Sequence, residues 1–174
     1  CGKIQHPTEV LRQRVSVDEA VAAVEECGAP IVSIAGGEPL LHPDIAEMVE
    51  ALIDRKRFVY LCTNAVLMRR KLDKFTPSPY FAWTVHIDGL RERHDESVCR
   101  EGVFDEAIAA IREAKRRGFR VTTNTTFFST DSPATVREVL DFLNDEVGVD
   151  SMMVSPAYAY EKAPDQVHFL GVQQ

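Results

Sequence analysis

No stretch of this sequence approaches the roughly 18 to 20 consecutive apolar residues of a membrane-spanning helix. Peripheral contact with a membrane stays open. Positive charge is also in short supply: 20 Lys and Arg stand against 27 Asp and Glu, a net charge of −7. That balance argues against a nucleic-acid groove or a polybasic membrane patch. The four cysteines, Cys1, Cys27, Cys62 and Cys99, form no Cys-x-x-Cys pair, and nothing at the start resembles a secretory signal. A disulfide framework is therefore not expected, and a reducing, cytoplasmic compartment is. The histidines His6, His42 and His168 show no ligand spacing with one another. Also missing are a Gly-rich phosphate fingerprint after the first strand and any hairpin signal between strands.

What is present is ordinary globular material, 174 residues with 45% hydrophobic and 27% charged, enough for one buried core and too apolar for a disordered chain. Ser16-Val17-Asp18-Glu19 is a capping box, and Val17, Val21 and Val24 continue at helical spacing until Gly28. Strands are expected over 31–35, 58–63, 81–87, 120–128 and 151–155. Between them, helices are expected from Pro43 as first helical residue, over 67–75, over 105–117 and over 133–146, with a long polar loop from residue 88 to 102. Strict alternation of strand and helix gives an α/β chain with a parallel sheet.

The ends of the strands choose between the two parallel architectures. They read Gly36-Gly37-Glu38-Pro39, Thr63-Asn64, His86-Ile87-Asp88-Gly89, Asn124-Thr125-Thr126 and Ser155-Pro156. Polar and backbone-permissive residues gathered at C-terminal strand ends suit a (β/α) barrel, or an open part of one, better than a doubly wound sheet. Alternation within strands sorts the side chains further. If Asn64 faces the lumen, Cys62 and Tyr60 do too, and Val59 and Leu61 face the helices. If Asp88 faces the lumen, His86 and Thr84 do too, while Trp83, Val85 and Ile87 pack outward. Both outward sets are purely apolar.

These strand ends resemble the radical S-adenosylmethionine (SAM) enzymes. That resemblance implies a partial (β/α)6 barrel, a 4Fe-4S cluster held by a Cys-x3-Cys-x2-Cys motif, and S-adenosyl-L-methionine bound at its open iron. Gly36, Gly37, Glu38 and Pro39 match the family's Gly-Gly-Glu-Pro motif, in which glycines admit the ligand and a carboxylate complements its ammonium. Asn64, His86, Asp88 and Asn124 fall where the family lines the SAM pocket, and His94-Asp95 through Gly102-Val103-Phe104-Asp105 is similar too. Cys1 would be the third cluster cysteine, which places the first strand and two further cysteines upstream and more barrel elements downstream. Residues 1–174 then read as one partial barrel domain, an internal piece carrying one cluster ligand of three and not expected to be active alone.

Segments 27–39, 58–64 and 158–166 further resemble the hopanoid-biosynthesis branch, the adenosylhopane synthases. That implies addition of the 5′-deoxyadenosyl radical to the alkene of diploptene, a hydrophobic polycyclic substrate, with flavodoxin or ferredoxin as electron donor. A weak X–H bond inside the lumen must then quench the product radical, and the inward-facing thiol of Cys62 is the candidate. Two other readings stand beside this one: a radical SAM enzyme of the peptide-modifying kind, and a cluster-free α/β module that binds a nucleoside or a protein. Each group also has a plain reading. Gly36-Gly37-Glu38-Pro39 alone is a strand-to-helix turn, Cys62 alone an inert small hydrophobe. His94-Asp95 reads as a loop cap or salt bridge, or as a titratable or metal pair. Asn124 and Thr126 reach a ligand or satisfy each other.

Overall fold

The computed structural model describes residues 7–158 and 169–170. Five strands, β1 (Ile31–Ile34), β2 (Phe58–Thr63), β3 (Phe81–His86), β4 (Arg120–Phe127) and β5 (Ser151–Pro156), pair in the order β1-β2-β3-β4-β5, every pair parallel. A doubly wound sheet reverses its strand order at a switch point. Here the order never reverses, and the strands form a curled half-barrel as the sequence leads one to expect.

Helices α1 (Thr8–Leu11) and α2 (Val17–Cys27) precede β1, and α3 (Ile45–Asp54), α4 (Met68–Lys71), α5 (Arg91–Ser97), α6 (Val103–Arg116) and α7 (Pro133–Asp141) connect the strands. The capping box at Ser16 is formed from both sides, with Glu19 N–H donating to Ser16 Oγ and Ser16 N–H to Glu19 Oε2. Several boundaries differ from expectation, three of them by more than the fraying of an end. Pro43 is not the first residue of α3, because Asp44 intervenes as N-cap. The helix expected over 133–146 is α-helical to Asp141 and continues to Val147 as a wider π-type turn. The expected polar loop contains α5, whose composition Arg-Glu-Arg-His-Asp-Glu-Ser has no apolar stripe, so no periodicity betrays it.

The alternation holds in both central strands. Val59, Leu61, Trp83, Val85 and Val121 are fully buried against Leu40, Leu52, Ile111 and Leu143 on the helix side. Trp83 sits within 4.8 Å of Phe75 and 5.2 Å of Phe81, centroid to centroid. On the other, inner face, Tyr60 and Cys62 are half-buried and Ser33 is exposed. Registers stack that face in levels. Cys62 lies opposite Thr84, Thr84 opposite Thr122 and Thr122 opposite Ser151; one level nearer the strand ends, His86 lies opposite Asn124 and Asn124 opposite Met153.

The two faces of β2 differ in what they contribute to stability, and two adjacent truncations read the difference. Leu61→Ala removes a fully buried side chain and is expected to cost about 2–5 kcal/mol. Cys62→Ala, one residue along and on the inner face, is expected to cost less than about 1 kcal/mol. Urea midpoints of the two variants check this.

Candidate functional site

The Glu38 carboxylate ties the end of β1 to the end of β2. It caps the short 3-10 turn Pro39–Leu41, Oε1 accepting from Leu40 N–H at 3.0 Å. The same oxygen accepts from Thr63 Oγ1–H at 2.8 Å, and Oε2 accepts from Asn64 N–H at 2.9 Å. A carboxylate offers about four acceptor positions, so roughly one remains for a donor from outside. Thr63 Oγ1 in turn accepts from Ala65 N–H, and Asn64 Oδ1 from Val66 N–H, both at 3.0 Å. These bonds surround Ala65, a non-glycine residue with φ of 64° and buried. Pro39 and Leu40 are buried beneath the loop, and Lys71 Nζ donates to the Leu40 carbonyl.

Gly36 and Gly37 precede this bracket, and neither has a left-handed φ. A Cβ built on either one would meet no neighbouring protein atom within 4 Å. The chain's own packing and backbone therefore do not call for glycine at these positions. The space a side chain would fill lies open to an approaching group, which the plain turn reading does not require.

At the end of β3, His86 Nε2 stands 2.6 Å from Asp88 Oδ2. Asp88 is 5% exposed, and its Oδ1 accepts from Thr126 N–H at 2.9 Å. Its own N–H donates to His94 Nδ1 at 3.1 Å. His94, from α5, is 1% exposed, with its ring 6.1 Å from those of His86 and of Phe104. Burial, seconded by the neighbouring His86, holds the His94 pKa below its ordinary value, against the pull of Asp88 and Asp95. Asp95 is a loop cap: its carboxylate accepts from Gly102 N–H at 2.7 Å and Phe104 N–H at 2.8 Å at the head of α6, and those bonds hold its pKa down. His94 caps the other end of that segment, through the Asp88 N–H. Sequence reasoning gave no hint that it sits behind Asp88, since the signal would have been a helix that shows no periodicity.

Cys62 is half-buried, its Sγ 3.4 Å from Ser33 Oγ. Asn124 is half-buried on the same face, opposite His86. The hydroxyl pair bonded across this face is Thr84–Thr122, at 3.1 Å, while Thr126 is engaged through its backbone by Asp88. The structure thus brings Glu38 and Asn64 together in one cluster and His86 and Asp88 in another, with Cys62 a level below. Cys1 lies outside the described residues, as do Ala159 to Gln166 of the third resembling segment. Cys27 and Cys99 are exposed and away from the inner face. Among the described residues no three His, Cys, Asp or Glu side chains group as a metal site, and no helix is long and apolar enough to cross a membrane.

Residues 1–143 match the family described as "Radical SAM superfamily". The chain belongs to the radical SAM superfamily. AdoMet-dependent heme synthase of Methanosarcina barkeri is 32% identical over 117 residues, covering 64% of this chain and 34% of the relative. GTP 3′,8-cyclase 1 of Mycobacterium tuberculosis is 30% identical over 129 residues, covering 68% of this chain and 36% of the relative. The chain therefore spans about a third of the length of these curated relatives. In fold it is similar to SuiB of Streptococcus suis, with a TM-score of 0.68 at 23% identity, covering 82% of this chain and 34% of that one. These relatives establish the radical SAM superfamily rather than one substrate, and none of the three is a hopanoid enzyme. Membership sets aside the cluster-free module reading.

Radical SAM enzymes work with a 4Fe-4S cluster and S-adenosylmethionine. The residues present fit the second of these. Two glycines leave open space at the head of the loop, Glu38 keeps acceptor capacity beside them, and His86 and Asn124 line the adjoining strand ends.

Glu38→Gln retains the size of the side chain but sets an amide NH2 among three donors. It is expected to destabilise the protein by about 1–3 kcal/mol in urea titrations. Hydrogen exchange at the Leu40 and Asn64 amides is expected to accelerate while that at Val59 and Trp83 changes only by the global loss.

Proposed function

We propose that this chain is the SAM-binding part of a radical SAM enzyme that joins the 5′-deoxyadenosyl group to the terminal alkene of diploptene, giving adenosylhopane. The observation that carries this reading is Cys62: a half-buried thiol on the inner face, one level below His86 and Asn124 and in contact with Ser33. The likeness of segments 27–39 and 58–64 to the hopanoid branch supplies the substrate, and it is narrower than what the curated relatives share.

Cys1 would serve as one cluster ligand beside two cysteines upstream. Gly36, Gly37, Glu38, Pro39, Asn64, His86 and Asn124 would hold SAM, with Asp88 behind His86. When bound, these cofactors supply a 5′-deoxyadenosyl radical after one-electron reduction by flavodoxin or ferredoxin. The protein's own part is to present the alkene and to finish the reaction. A neutral hydrocarbon gains nothing from charge, so the acidic balance does not oppose it, and Ile31 and Met153 leave apolar surface exposed on the inner face. Cytoplasmic placement with peripheral contact at a membrane accords with such a substrate.

Addition to the alkene leaves a tertiary carbon radical. Cys62 gives it a hydrogen atom: the S–H bond breaks, a C–H bond forms, and a thiyl radical remains on Cys62. One electron from the same class of donor and one proton restore the thiol. An alkylthiol S–H bond is weaker than the tertiary C–H bond formed, so the transfer runs downhill.

The test uses the full-length enzyme, reconstituted without oxygen and supplied with reductant, SAM and diploptene. Alkene-dependent adenosylhopane is expected, and 5′-deoxyadenosine without adduct would overturn the substrate. In Cys62→Ser, SAM cleavage is expected to persist while the yield of saturated adduct falls at least about tenfold. Full yield from that variant would remove Cys62 from the role.

A further inference from the structure

Helix α5 carries no apolar stripe, yet the chain makes room for it with care. A Cβ on Gly89 would stand 2.5 Å from Arg93 Cγ and 2.7 Å from Arg93 Cβ, so the residue after Asp88 must lack a side chain for α5 to come this close. From that position Arg93 Nε reaches Asp131 Oδ1 at 3.3 Å, and Asp131 Oδ2 accepts from Phe128 N–H at 2.7 Å. His94 meanwhile accepts from Asp88 N–H. One helix turn thus fastens the loop after β3 to the end of β4, and its most buried side chain is an imidazole.

The proton positions follow from this geometry. His94 Nδ1 accepts a backbone N–H, so that nitrogen is bare, and burial keeps the ring neutral. Its proton is therefore on Nε2, an atom buried without a hydrogen-bond partner among the described residues. An unpaired buried donor is costly, of the kind retained where it serves something else. The Asp88 carboxylate takes a backbone N–H on Oδ1 and turns Oδ2 to His86 Nε2 at 2.6 Å, a separation too short for two bare lone pairs, so a hydrogen on Nε2 lies between them. The nitrogen remaining to the 37%-exposed His86 side chain is Nδ1, an acceptor when the ring is neutral.

We propose that His94 is a positioning residue for His86: by holding the Asp88 backbone it keeps the Asp88 carboxylate on His86 Nε2, which fixes His86 as the Nε2-H tautomer and reserves Nδ1 as an acceptor for a hydroxyl donor of the bound nucleoside. Only the last clause rests on the reading of the site as a SAM pocket; the tautomer does not. The Asp88 carboxylate could leave Nε2 only if the loop turned, and the bonds to His94 and from Thr126 oppose that.

The experiment is long-range 1H–15N correlation spectroscopy of the histidine rings in the full-length protein, together with SAM affinity measured by equilibrium binding to the reconstituted enzyme. In the wild type, at a pH where both rings are neutral, His86 and His94 are both expected as Nε2-H tautomers. His94→Phe keeps a buried ring but removes the acceptor; His86 is expected to become a mixture of tautomers, and the SAM dissociation constant to rise about tenfold with the rate at saturating SAM retained. His94→Asn, whose Oδ1 can accept the Asp88 N–H, is expected to restore both readouts. If His94→Phe does not fold, Asp88→Asn decides the matter: its amide donates to Nε2, so His86 is expected to move its hydrogen to Nδ1. A His86 ring that stays wholly Nε2-H in His94→Phe, or in Asp88→Asn, overturns the proposal. Because the tautomer is read without substrate, absence of adenosylhopane in the earlier assay leaves this result standing, and the two failures are told apart.

Discussion

Successive side chains of a strand point to opposite faces, and in this chain that two-residue period decides nearly everything else. The odd members of β2 and β3, Val59, Leu61, Trp83 and Val85, all face the helices and are wholly buried. The even members, Tyr60, Cys62, Thr84 and His86, are thereby committed to the inner face. A slip of one residue in β2 would place Cys62 in the core and Leu61 in the half-barrel, so register is held by the burial of the apolar set. The chemistry of the inner face is a by-product of how the outer face packs.

Carboxylates then fix the strand ends relative to one another. Glu38 accepts from Asn64 N–H, Asp88 from Thr126 N–H, Asp131 from Phe128 N–H, and Asp95 from the two amides at the head of α6. At the opposite end of β4, Asp150 accepts from Val121 N–H and pairs with Lys115, bonds that keep its pKa below the ordinary carboxylate value despite partial burial. Backbone donors left over where a strand stops need acceptors, and an ionised carboxylate is a strong one. Several carboxylates of this acidic chain thus have structural work as backbone acceptors at strand ends and at the head of α6.

Much of this was legible in advance because it rests on local periodicity and on the residues at strand ends. The five strands and their parallel sheet follow from apolar runs that alternate with helix signals, and the face of Cys62 from alternation within β2, whereas the apolar run 31–35, expected to be buried, is exposed at alternate residues. The Gly36-Gly37 opening was also readable: the sequence suggested a turn or a close approach, and the space beside both glycines is open. What could not be read was α5. Its seven residues are almost all charged, its stability comes from Gly89, Asp131 and Asp88 in other segments, and its one buried side chain is a histidine. The role of Glu38 was half legible, since its carboxylate was expected to meet a ligand and is found first to hold Thr63, Asn64 and Leu40.

The claim on which the functional account turns is that hydrogen reaches the product from the Cys62 thiol, whose proton exchanges with water. The direct measurement is the isotope content of adenosylhopane made by the full-length enzyme in deuterium oxide with unlabelled SAM and diploptene. One deuterium at the tertiary carbon of the new side chain is the expected result. Product free of deuterium there would mean that the hydrogen comes from a carbon-bound position, and would contradict the assignment of Cys62.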